Sequence, residues 1–424
     1  MINITSRAAL IVLLAAGCSD RERTNPLDPN NQLTKGAPVG LEVVTILDTA
    51  YVNWQPFDVE NLTGYRIYRW TEGDTLAAHA TISFQFSSFQ EYNLISDQKY
   101  YYAVQAITET DESGISAPDS AIPGPNNFWV TDYDDAALKR VTYDGSHIIS
   151  QVYVNSPFAL VADPVRNRFW VADYWNRAIT VFARDLSVVG SVTLEGSPFD
   201  LAISTGFRRV YCLQINPDAI TILNLDGEQV DGLDIPGEPN RHSTIAMDEI
   251  AVQVWLGQPR SSGEAYLYRT DYRLKPIVWH TAASFGSLNT IKADPVNGGV
   301  WAATGAGMAY VGPRSEEPLV FASDVIVYDI SFNPENGDCY FIGRQITDNV
   351  PVVGRITGDI GFRRVTLINL PDQGLVRLQV LAGAGPVGFL AWQDSENRLI
   401  RFTADGTPIG HLDGVAGVTG FALE

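Results

Sequence analysis

The chain has 424 residues and a formal net charge of −20, with 49 acidic against 29 basic side chains. That length exceeds what one small core needs, so two or more domains are expected. The acidity, with no basic cluster anywhere in the sequence, argues against nucleic acid and anionic lipid headgroups as partners. An ordinary apolar share of 45% with abundant Gly, Pro, Tyr and Trp favours many short strands joined by turns.

In chain order, residues 1–17 carry Arg7 and then a short apolar run, Ala8 to Gly17. The run is too short to span a bilayer and suits the core of a signal peptide. It leads into Leu14-Ala15-Ala16-Gly17-Cys18. This resembles the lipobox of bacterial lipoproteins. The resemblance implies that Cys18 is lipidated and becomes the mature N-terminus. It also implies an extracytoplasmic protein whose only membrane attachment is that lipid. Ser19 after the Cys implies outer-membrane sorting in a two-membrane cell. Residues 18–38 are polar, carry Pro26, Pro29 and Pro38, and lack a hydrophobic period, so they read as a flexible tether.

From 39 to 123 the pattern turns to period two. In GYRIYRW, Tyr65 and Ile67 share one face while Arg66 and Tyr68 share the other; KYYYAVQAIT alternates in the same way. Half-buried antiparallel strands require this alternation. Trp54 sits where a core Trp belongs, and Leu94 precedes Tyr100 by six residues, as in a tyrosine corner. These features resemble a fibronectin type III domain, a β-sandwich that implies a spacer or adhesion module.

From 124 to 424 the chain repeats itself. FWVTDYDDAALKRV (128–141), FWVADYWNRAITVF (169–182) and VYCLQINPDAITIL (210–223) place Trp129, Trp170 and Tyr211 at intervals of 41 residues. A second mark precedes the aromatic residue by six: Pro164 before Trp170, Pro295 before Trp301 and Pro334 before Tyr340. The unit reads as strand, Asp/Asn-Pro turn, strand, turn, strand, turn, strand. One such sheet cannot bury both faces alone, whereas a closed ring of them can, so a β-propeller is predicted. Inner strands fall near Phe158, Phe199, His242, Asn289, Tyr328, Leu378 and Phe421, which makes seven blades; uneven later spacings keep six as the alternative. GFALE (420–424) copies PFALV (157–161), and the unit at Phe128 lacks its own inner strand. The C-terminal strand is therefore expected to close the ring.

Val171, Ala172, Asp173, Asn176, Ile179, Val181 and Phe182 also resemble the NHL repeat, and the ring as a whole resembles NHL and SMP-30-type propellers. That resemblance implies ligand sites at one end of the channel. By register the candidates are Phe158, Phe199, Asp200, Arg241, His242, Asn289, Tyr328, Asp329 and Arg377. SMP-30-like lactonases hold a divalent cation with carboxylate and Asn oxygens, so the resemblance raises calcium or a similar ion on Asp200, Asn289 and Asp329. Phe158 and Phe199 fill two equivalent positions, however, so no cofactor is expected. Asp132 to Asp135 read as a solvated turn. Cys212 and Cys339, three blades apart, read as buried apolar side chains rather than a disulfide. The five His residues show no metal-ligand spacing, and no catalytic motif appears.

The expected function is a lipid-anchored binding protein, acting as a monomer, whose propeller recognises a protein, peptide or glycan at the channel mouth or on a face. One alternative is a metal-dependent enzyme of lactonase or lyase type on the same ring. The other is a structural spacer in a surface assembly.

Overall fold

The computed structural model describes residues 25–235, 243–259, 265–282, 287–315, 317–333, 335–357, 364–371, 374–381 and 388–423. The chain divides into two compact units, Met1–Pro123 and Gly124–Glu424. Cys18, Arg241 and His242 lie outside the described residues.

In the first unit, one sheet orders Glu42–Ile46, Thr49–Asn53 and Ser88–Glu91. The other orders Ala77–Ser83, Leu62–Thr71, Tyr100–Thr108 and Glu112–Ile115, with Asp119–Ala121 also paired to Tyr100–Thr108. The alternating side chains that point inward, among them Val43, Val52, Tyr65, Ile67, Tyr102 and Val104, form one core. Trp54 packs edge-on against Tyr65 at 5.1 Å between ring centres. The Tyr100 hydroxyl accepts the Ile95 N–H at 3.1 Å, pinning the turn beside Leu94 to the strand that follows.

Residues 25–37, expected within the tether, are a run of turns. Carboxylate and amide oxygens of Asn25, Asp28 and Asn31 accept N–H groups two or three residues on, the Asx turns open to such side chains. Leu27 packs onto the core, and the Gly36 carbonyl accepts the Gly114 N–H at 2.7 Å. Polar composition alone conceals this, because the segment satisfies its own backbone locally.

The second unit is a seven-bladed β-propeller. Seven four-stranded antiparallel sheets follow one another, and the inner strands of neighbouring blades touch all the way round. Blades two to seven use consecutive strands, beginning at Pro157, Ser197, Thr244, Leu288, Val325 and Leu375. Blade one draws three strands from Phe128–Tyr153 and its innermost from Val418–Leu423.

The repeated phrase is the second strand of each blade. Trp129, Trp170, Tyr211, Trp255, Trp301, Tyr340 and Leu390 occupy one equivalent position, and each is buried. Trp129 of blade one meets Phe169 of blade two at 4.4 Å, so these rings seal one sheet against the next. Such a pair contributes about 0.5–1.5 kcal/mol beyond its burial. The Asp-Pro mark is the hairpin between first and second strands. Asp163 and Asp294 of the mark, and Asp248 at the same place in blade four though followed by Glu249, each accept N–H groups two and three residues ahead, which holds the tight turn.

A latch secures the closure. Val418–Leu423 pairs antiparallel with Phe128–Asp132, Phe421 opposite Val130 and Leu423 opposite Phe128. Asp132, read from sequence as part of a solvated turn, is fully buried. Its carboxylate accepts the Ala416 N–H at 3.0 Å, the Gly417 N–H at 2.9 Å and the Lys139 ammonium at 2.6 Å. Lys139, itself buried, also donates to the Gly414 carbonyl at 3.2 Å and to Asp135. A side chain on Gly417 would meet the Asp134 nitrogen at 2.8 Å, so only glycine fits there.

Candidate functional site

Six inner strands carry a β-bulge at one equivalent register, centred on Phe158, Phe199, Asn289, Tyr328, Val376 and Thr419. A bulge adds one residue on one strand and re-aims its side chain. Here the bulges line up at one end of the channel. The inner strand of blade four starts at Thr244 and pairs without a register shift.

A cavity of about 520 Å³ occupies the channel. Phe158, Phe199, Asp200, Asn289, Asp329 and Arg377 all line it. Tyr328 instead packs against the core between blades six and seven. Arg377 sits one step beyond the bulge, at the rung of Asp200 and Asp329 rather than of Phe158. Sequence spacing could not register that step, because the bulge falls on Val376. The structure adds Lys292 from blade five, Gln379 from blade seven and Phe421 from the closing strand. A lone Lys between apolar neighbours gave no signal in sequence; its place on an inner strand opposite Trp301 supplies one.

The two carboxylates do structural work. Asp200 accepts the Leu201 N–H at 2.8 Å, and from the next blade the Thr244 hydroxyl at 2.8 Å and the Ile245 N–H at 2.9 Å. Asp329 accepts the Ile330 N–H at 2.9 Å and, from the next blade, the Leu378 N–H at 3.1 Å. Each acid therefore stitches its own blade to the following one. Two bulge residues form a matching tie: the Asn289 amide donates to the Val327 carbonyl at 2.6 Å, and the Thr419 hydroxyl to the Pro157 carbonyl at 2.7 Å. The oxygens proposed for a cation on Asp200 and Asp329 thus already accept N–H groups. Among the described residues, no group of three or more His, Cys, Asp or Glu is placed to hold a metal.

The cavity has two unlike sides. Blades one to three supply Phe421, Phe158 and Phe199, the last two 5.1 Å apart. Blades five and seven supply Lys292 and Arg377, neither of which has a hydrogen-bond or ion-pair partner among the described residues. The aromatic side continues outward. Phe158 meets Tyr133 at 5.2 Å and Tyr174 at 4.9 Å, and Tyr174 meets Trp175 at 5.0 Å. Trp175 is 59% exposed, and its indole N–H donates to the Tyr133 hydroxyl at 3.3 Å. Tyr133, Tyr174 and Trp175 come from the turns after the second strands of blades one and two.

Elsewhere, Cys212 and Cys339 are buried free thiols, and burial pushes Cys212 well above the usual thiol range. No described helix is long and apolar enough to cross a membrane.

The fold defines the second unit as a member of the β-propeller class, and similar solved structures agree. Hydrazine synthase of Kuenenia stuttgartiensis matches at TM-score 0.52 and 11% identity, over 62% of this chain and 88% of its own. A functionally unknown protein from Desulfotomaculum acetoxidans DSM 771 matches at TM-score 0.53 and 12% identity, over 70% and 98%. At such identities the likeness concerns the fold alone. No family model and no curated protein matches the chain.

Proposed function

We propose that this chain is a lipid-anchored, extracytoplasmic binding protein. A fibronectin type III-like module carries an NHL-like propeller, whose channel mouth takes a protein, peptide or glycan ligand. The observation that carries the reading is the cavity: about 520 Å³, with Phe421, Phe158 and Phe199 on blades one to three and Lys292 and Arg377 on either side of Asp329 on blades five to seven. That volume falls within the roughly 300–1,000 Å³ of ordinary ligand sites, which combine apolar walls with a few placed polar groups. The carboxylates of Asp200 and Asp329, two of the oxygen donors a catalytic cation would use, accept N–H groups in blade-to-blade ties, which favours binding over metal chemistry.

The anchor reading rests on Leu14 to Cys18 in the sequence. The module reading is supported by the two-sheet strand order and by the Tyr100 corner. The NHL reading is supported by Asp173, whose carboxylate accepts the backbone and side-chain N–H groups of Asn176 in the turn that the motif spans.

The test is a screen of the purified full chain against immobilised peptides and glycans, repeated with Phe158→Ala/Phe199→Ala. Retention of a ligand that the double variant loses, with the variant's thermal unfolding unchanged, supports the reading. Conversion of a ligand into product points to the enzyme alternative. Retention insensitive to both substitutions rejects the channel as the site, and no retention at all favours the spacer.

A further inference from the structure

The two sides of the cavity specify more than a site. The protein carries a net charge of −20, yet among the described residues of its channel the charged side chains without a hydrogen-bond or ion-pair partner, Lys292 and Arg377, are both positive. The two acids beside them are engaged by N–H donors from their own and the next blade. A ligand that satisfies this arc brings an anionic group. The facing arc asks for something different. Phe158 and Phe199, 5.1 Å apart and tilted by 42°, form a continuous aromatic wall of the cavity rather than a slot for an aliphatic chain. Around them, Thr244, Asn289 and Gln379 put hydroxyl and amide groups on the same lining.

From the site proposed above, and resting on that reading, we infer that the ligand is an acidic glycan: a sugar whose ring stacks on Phe158 and Phe199 while its carboxylate meets Lys292 and Arg377. Arg presents a planar fork matched to carboxylate, and Lys adds a point charge. The aromatic run out to Trp175 extends the site beyond one sugar. Its exposed indole is held in place by the bond to Tyr133, so a second or third residue of the chain can lie against it. Long-range electrostatics oppose the approach of such a ligand, because the surrounding surface is acidic. Attraction is therefore confined to the channel, and moderate salt, which screens the repulsion, speeds association.

The experiment titrates the full chain with oligogalacturonates of increasing length, with their methyl esters and with a poly-Glu peptide, following Trp fluorescence and heat. The acid form binds and the ester binds about 10- to 100-fold more weakly, the worth of one charge-assisted hydrogen bond. Lys292→Met and Arg377→Met each weaken the acid form by a similar factor and leave the ester unaffected. Trp175→Ala weakens the longer oligomers and spares the shortest. Equal binding of acid and ester, or indifference to both cation substitutions, overturns the inference. If only neutral sugars or the peptide bind, and Phe158→Ala/Phe199→Ala abolishes that binding, the channel reading stands and this one falls. If none of the probes binds, the acidic-glycan inference is rejected, and the broader screen above decides the channel reading alone.

Discussion

Lys139→Met tests how the ring is held shut. The substitution keeps the bulk of the side chain and removes its charge. It leaves the Asp132 carboxylate fully buried, holding only the N–H groups of Ala416, Gly417 and Asp135. Breaking a buried pair from one side costs about 3–5 kcal/mol, and the remaining N–H donors put this case at the lower end. Near the unfolding midpoint, the entropy change is about 2.1 cal/mol/K per residue, so roughly 300 residues give about 0.6 kcal/mol/K and the expected loss is about 5 °C. Calorimetry of the full chain reads the shift. Asp132→Asn combined with Lys139→Met recovers part of it, because no unpaired charge then stays buried. A midpoint for Lys139→Met within about 1 °C of the parent would refute the latch. So would a double variant less stable than the single one by the full cost of a second buried group.

Two further outcomes follow from the same interior. Burial pulls the Asp132 carboxyl upward, but the Lys139 ammonium and the Gly417 and Asp135 N–H groups outweigh it and hold the group below its ordinary 3.8. A depressed carboxyl stabilises the fold above its unfolded value and loses that contribution as pH falls through the lower folded value. Unfolding midpoints should therefore drop below about pH 4, and Asp132→Asn should flatten that limb; an unchanged acid limb in the variant assigns the loss to other groups. Burial also pushes the Cys212 thiol upward and hides it completely. Peptide mapping should find Cys212 and Cys339 unmodified after native alkylation and fully modified in denaturant, and native labelling of either would mean that its blade opens.

Much of the ring was legible in the residues. The large apolar position in the second strand, aromatic in six blades and Leu390 in the seventh, recurs because a bulky side chain must fill each gap between sheets, and the Asp-Pro mark recurs because the same hairpin needs the same N–H acceptor. Those constraints are local and periodic, so they survive in the sequence. The channel lining was legible only in part. Six of the nine candidates share one cavity, but the bulge on Val376 puts Arg377 one rung further on, and Tyr328, at the bulge position itself, packs into the core. Lys292 was missed because, three residues past Asn289 on the same inner strand, its facing depends on the bulge at Asn289. Asp132 was misread because DYDD looks solvated until the loop from another part of the chain, 414–417, covers its first residue. The Asx turns at 25–37 were hidden by the same composition that suggests a tether. In each case the deciding partner is either distant in sequence or set by register.

The borrowed strand of blade one makes the ring a test of chain length. During synthesis, Phe128–Asp132 emerges early, and its inner edge stays bare until residues 418–423 leave the ribosome. Any product cut short before residue 414 keeps an open, aggregation-prone edge, with Asp132 lacking the Ala416 and Gly417 N–H groups and Lys139 lacking the Gly414 carbonyl. The first sheet thus depends on residues 418–423 for its inner strand, while the other six sheets close with strands of their own segment.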